Sequence, residues 1–148
     1  MQTTVTQAQM LAPAAALALW SLFMLLWMVR SRFAAMAEAG FNLGKARPGG
    51  RGRDLEGRLP DSVMWKSHNY THLMEQPTLF YAVVVILALV EPNTTNAALA
   101  WSYTMLRIVH SVYQSLINRV PARLTIFMLA TLALIALAIR ALAACLAG

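Results

Sequence analysis

Three residues in the stretch HNYTHLMEQPTLFY (68–81), His68, His72 and Glu75, follow one another at spacings of four and three. On a helix that spacing puts all of them on one stripe. A second set, Tyr103, Arg107, His110 and Gln114, is spaced four, three and four, so a second helix also carries one polar face. Two histidines at i and i+4 with a carboxylate one turn later are the donor types of a mononuclear metal site, and His110 could complete four ligands. The acid is misplaced for the H-E-x-x-H pattern of a metalloprotease, and three histidines are too few for a histidine-box di-iron centre. The same residues also suit a polar ligand pocket, since their number exceeds what pairing two helices requires. The blandest reading is an ion-paired network that only locks helices together, without a ligand.

The elements that carry these residues are unusually apolar. Of 148 residues, 59% are hydrophobic and 12% charged, a balance that fits one domain but excludes an ordinary soluble one. Residues 11–29 form an uncharged run whose length at helical rise approaches the roughly 30 Å hydrocarbon core of a bilayer. Residues 77–90 reach spanning length only when extended back through the opening stretch. Residues 97–118, interrupted by Arg107 and His110, and 124–139 are the remaining candidates. The predicted architecture is all-α: an integral membrane four-helix bundle as a single domain, 1–148. Its spans cover about 9–36, 62–90, 96–118 and 121–146, with a basic loop at 37–61. The first span, preceded by MQTTVTQAQM with no basic residue, is read as retained rather than as a cleaved signal.

Basic residues set the expected orientation. Arg30, Arg32, Lys45, Arg47, Arg51, Arg53, Arg58 and Lys66 lie between the first two spans, Arg119 and Arg123 flank the third connection, and EPNTTN between the middle spans has none. This places the first and third connections in the cytoplasm and both termini outside. The exception, Arg140 near the outer end, is expected to snorkel or pair. The Gly- and Arg-rich GKARPGGRGRDLEGRLPD (44–61) matches neither a Walker A nor a dinucleotide fingerprint. Its charges alternate with Asp54, Glu56 and Asp61 and lack aromatic stacking partners, so it reads as a topogenic, lipid-facing loop and not as a nucleic-acid site. The single cysteine, Cys145, excludes an internal disulfide framework.

Topology also matches depths. With Lys66 and Arg119 at the same boundary, Glu75 and His110 both lie about 13 Å inward, so a Glu75 carboxylate is expected to face Arg107 or His110. With these features the chain resembles the MAPEG family, the membrane-associated proteins in eicosanoid and glutathione metabolism. The likeness rests on the four-span plan with a long basic first loop, on HLMEQPTLF (72–80), and above all on LRIVHSVYQSLINRVPAR (106–123).

The resemblance implies a bacterial inner-membrane homotrimer that binds glutathione between neighbouring protomers and acts on lipophilic electrophiles or hydroperoxides arriving from the lipid. It implies that Glu75 holds the glutathione amino group, with His72 where the family usually has asparagine. Arg107, His110 and Gln114 match the third-span polar face. Arg123 matches the arginine that stabilises the thiolate, and Arg30 or Arg32 would contact a carboxylate. A guanidinium next to a thiol favours the nucleophilic thiolate. Leu124 and Phe127 depart from the family's hydroxyl-bearing residues. The competing class is a non-catalytic ligand-binding or accessory membrane subunit; glutathione is the implied co-substrate and no metal is favoured.

Overall fold

The computed structural model describes residues 5–147. It is all-helical, with four helical segments forming a bundle: α1 (Gln7–Glu38), α2 (Asp61–Leu73) continued by α3 (Gln76–Val90), α4 (Thr94–Leu116) and α5 (Val120–Ala147). Three segments, Gln7–Glu38, Asp61–Val90 and Val120–Ala147, are long and apolar enough to cross a membrane. The fourth, α4, turns a polar face inward instead.

Each helix begins where local chemistry allows it. Thr6 and Gln9 form a reciprocal capping box at the start of α1, the hydroxyl accepting from the Gln9 amide and the Thr6 amide donating to Gln9 Oε1 at 2.9 Å. The side chain of Asn93 accepts from the Asn96 amide at 2.8 Å and starts α4. The segment expected as one helix over 62–90 is two helices that meet at Met74 and Glu75. Pro77 supplies the reason: it has no N–H for the Leu73 carbonyl, and its ring would collide with that carbonyl in a continuous helix. Accordingly α2 ends at Leu73, and Glu75 sits at φ −91°, ψ −92°, outside the helical region.

Helix α4 packs against α1, α2 and α5. Its buried side chains, among them Asn96, Tyr103, Thr104, Arg107, His110, Ser111 and Gln114, recur at helical spacing, while Trp101, Met105, Val109 and Leu116 face outward. The main apolar core forms where Met10, Leu17 and Met24 of α1 meet Phe80, Val84 and Leu87 of α3 and Leu134 and Leu137 of α5, and a smaller cluster of Ala35, Met36, Leu59 and Met64 lies beside the first loop. Ala100, Ala130 and Ala141 are buried there and let backbones approach, a packing suited to lipid, which provides no hydrophobic drive between helices. Large apolar side chains such as Leu19, Leu26, Leu89, Leu132 and Ile139 point outward, a surface that only hydrocarbon solvates well.

Polar contacts hold the helices in register. Ser111 Oγ accepts from Trp20 Nε1 at 3.1 Å and from Asn69 Nδ2 at 2.7 Å, joining α1, α2 and α4 through one hydroxyl. Thr104 donates to the Pro13 carbonyl at 3.0 Å, and Gln76 links Tyr103 to Thr131. At the opposite end Arg140 is paired: Nε donates to Asn96 Oδ1 and Nη2 lies 3.9 Å from Glu91.

Candidate functional site

At the end of the bundle that carries the first loop, a cavity of about 960 Å³ opens between α1, α2, α4 and α5. Its wall holds Arg32, His68, His72, Glu75, His110, Gln114 and Arg123, together with Ser67, Tyr70 and the loop residues Arg51, Gly52, Arg53 and Glu56. Four helices and one loop, distant in sequence, therefore contribute to one chamber, whose wall also carries Met28, Val120, Leu124 and Phe127.

Of the two cations named at the end of α1, Arg32 faces this chamber and Arg30 does not. Arg30 is exposed and borders a separate outward groove with Phe23, Leu26 and Trp27. Arg32 donates through Nη2 to the Ser67 hydroxyl. Its guanidinium lies against the loop at Gly52, where a Cβ would come within 2.7 Å of Nη1, so a larger residue there would displace the arginine's terminal group.

Arg107 is fully buried behind the chamber rather than on its wall. The anticipated ion pair is not formed: among the described residues Glu75 has no cationic partner within bonding range. Instead Arg107 Nη2 donates to the backbone carbonyl of His72 at 2.8 Å, and both terminal nitrogens lie 3.4 Å from His72 Nδ1. The break before Pro77 leaves the last carbonyls of α2 without intrahelical donors, and a buried guanidinium supplies both the hydrogen bond and a charge suited to the negative end of the helix dipole. Glu75 is thereby left exposed at the chamber wall with its charge uncommitted.

The two inner histidines lie together. The rings of His72 and His110 stack at 5.2 Å and 26°, and Phe127 packs on both, at 5.0 and 6.0 Å. His68 is turned the other way, with Nε2 2.7 Å from Glu56 Oε1, clasping the loop to α2. The possible metal set of His68, His72, Glu75 and His110 is thus not gathered, and among the described residues no group of three or more His, Cys, Asp or Glu side chains could hold a metal ion. Two polar atoms of wall residues, His110 Nδ1 and Gln114 Oε1, are buried without a hydrogen-bond partner.

Arg123 is positioned by a residue that the sequence reading passed over. Asn118 adopts φ 54°, ends α4 with its amide donating to the Tyr113 carbonyl, and accepts from Arg123 Nη1 at 2.7 Å through its side chain. Asparagine tolerates the left-handed conformation of a helix C-terminus, so a lone Asn before Arg-Val-Pro was the available signal. Arg51 and Arg53 were visible as charge, but nothing local in the sequence says that a short 3-10 turn at Gly52–Leu55 brings them to the chamber.

A helical membrane bundle with an inward polar helix, and a chamber at one end where arginines and a free carboxylate face one another, defines the class of protein. A family model described as the MAPEG family matches residues 10–143, and the chain belongs to the MAPEG family. No curated protein and no solved structure gives a match.

Proposed function

We propose that the chain is a glutathione-dependent transferase or peroxidase acting on lipophilic electrophiles or hydroperoxides. The observation that carries this reading is the charge layout of the chamber: Glu75 with no cationic partner, and Arg32 and Arg123 on the same wall. Glutathione carries one ammonium, two carboxylates and a thiol. Glu75 binds the ammonium and Arg32 a carboxylate. Arg123, held by Asn118, favours the thiolate. Arg107 keeps His72 in place and acts behind the site. A volume of about 960 Å³ accommodates the tripeptide with room for part of an acceptor.

In the transfer reaction the thiolate sulfur forms a C–S bond at the electrophilic carbon, and the displaced or ring-opened heteroatom takes the proton that the thiol released. In the peroxidase reaction the sulfur attacks the distal peroxide oxygen. The O–O bond breaks, an alcohol leaves after protonation, and a second glutathione converts the resulting sulfenic acid to disulfide and water. Leu124 and Phe127 provide no hydroxyl beside Arg123, which makes that guanidinium the principal stabiliser of the thiolate. The same lack of donors favours the second reading, a non-catalytic ligand-binding or accessory subunit.

The exposed position of Glu75 and the open outer side of the chamber support a homotrimer in which a neighbouring protomer completes the site. The reading includes a bacterial inner membrane, both termini outside and the first loop cytoplasmic, in keeping with the charge distribution. The test is ultraviolet thiolate absorbance on adding glutathione to the detergent-purified protein, followed by turnover of a chromogenic electrophile. A thiolate signal that disappears in Arg123→Ala is expected; its absence in the unsubstituted protein would overturn the transferase reading.

A further inference from the structure

A second cavity, of about 550 Å³, lies under the first loop against the end of α1. Its wall contains five cations, Arg32, Lys45, Arg47, Arg51 and Arg58, and one carboxylate, Asp54. That carboxylate is already engaged: Asp54 Oδ2 accepts from the Arg51 amide at 2.8 Å and lies 4.0 Å from Arg47. Arg58 rests over the Phe41 ring, and among the described residues Lys45 and the Arg51 side chain have no acidic partner. Topogenesis needs only a count of positive charges in the loop; it does not need them to converge on one hollow. Gathering like charges without counter-charge is unfavourable unless an anion is recruited.

The cavity also has an apolar edge. Phe33, one helical turn beyond the uncharged run of α1, and Leu43 of the loop, both more than half exposed, line it beside the cations. Cations paired with exposed apolar side chains at that level match a phosphate with acyl chains attached. We propose that this cavity binds the phosphate of an anionic phospholipid headgroup, with guanidinium donors on the phosphate oxygens and the chains passing Phe33 and Leu43. Arg32, Arg51 and Gly52 border both cavities, whereas Lys45, Arg47 and Arg58 line this one and not the larger chamber, and the inference rests on those three.

Native mass spectrometry of the full chain in detergent tests it, using phosphatidylglycerol and phosphatidylcholine of identical chains. Retention of phosphatidylglycerol over phosphatidylcholine is expected, weakened about tenfold or more in Arg47→Gln and in Lys45→Gln, and less than about twofold in Arg119→Gln, which removes a charge outside the cavity. Arg47 is 82% exposed, so its substitution leaves the fold intact, which an unchanged melting temperature verifies. Equal retention of the two lipids, or equal losses in the Arg47 and Arg119 variants, would overturn the proposal. Added inorganic phosphate distinguishes the source: displacement of the lipid assigns the site to phosphate as such, and persistence assigns it to the headgroup with its chains.

Discussion

The Arg107 guanidinium donates to the His72 carbonyl at 2.8 Å, so the buried cation of α4 serves as the C-terminal cap of α2 and leaves the Glu75 carboxylate free. This one contact predicts that stability and the proposed glutathione binding separate between the two residues. Glu75→Gln is expected to leave the stability in detergent within about 0.5 kcal/mol of the unsubstituted protein, while abolishing glutathione binding measured by equilibrium dialysis. Arg107→Ala removes the donor from a buried carbonyl and is expected to cost about 1–3 kcal/mol of stability for that unpaired group. A Glu75→Gln variant as unstable as Arg107→Ala would mean that the two residues are paired after all.

Ser111 takes two donors, from Trp20 and Asn69, on one oxygen. Ser111→Ala leaves the buried Asn69 amide and the half-buried Trp20 indole without an acceptor, and a loss of about 1–3 kcal/mol is expected for the buried group left unpaired. Ser111→Thr retains the oxygen, and its thermal unfolding should fall nearer to the unsubstituted protein. Equal destabilisation by the two variants would point to packing volume rather than the hydroxyl.

Asn118 combines a backbone role with a side-chain role, and two substitutions part them. Asn118→Gly keeps the left-handed turn and removes only the bond to Arg123, so folding should persist while the thiolate signal weakens. Asn118→Ala adds backbone strain of about 1 kcal/mol and should lower the melting temperature as well. An undiminished thiolate signal in Asn118→Gly would show that Arg123 needs no positioning by this side chain.

Leu124 lines the chamber next to Arg123 and offers no hydrogen bond. Leu124→Ser is expected to raise the thiolate fraction of bound glutathione about two- to tenfold, the worth of one added hydrogen bond of 0.5–1.5 kcal/mol. The comparison is made by pH titration of the bound thiol's absorbance. No displacement of that titration would show that the sulfur lies elsewhere.

The His68 to Glu56 clasp, at 2.7 Å, joins two side chains that are about half exposed. Such a pair contributes little to global stability, about 0.2–1 kcal/mol. Its effect should be local: His68→Ala is expected to leave the melting temperature nearly unchanged and to accelerate proteolytic cleavage between residues 51 and 58. An unchanged cleavage rate would mean that the loop is held by its other contacts, among them Arg58 over Phe41 and Leu59 against Met36.

What could be read along the chain depended on interactions that repeat locally. Apolar runs of membrane length and the spacing of Tyr103, Arg107, His110 and Gln114 report on one helix at a time, because burial of a helix face follows its 3.6-residue period. All four of those side chains are buried on the inner face of α4. The choice between Arg30 and Arg32 stayed open in the sequence, although residues two apart lie on nearly opposite sides of a helix and only one could face the chamber. Tertiary packing selected Arg32, because Ser67 of α2 and Gly52 of the loop are there to receive it.

The sequence by itself therefore determined an all-helical membrane chain with one polar helix and a cationic loop. Tertiary structure alone decided the partners of the charges. Pro77 freed a carbonyl that Arg107 could reach across helices, Asn118 turned the chain so that Arg123 could face the chamber, and the loop folded back to bring Arg51 and Arg53 onto its wall. A buried charge is satisfied by whatever donor or acceptor the fold brings within about 3 Å, and residues 35 positions apart carry no local signal of that proximity.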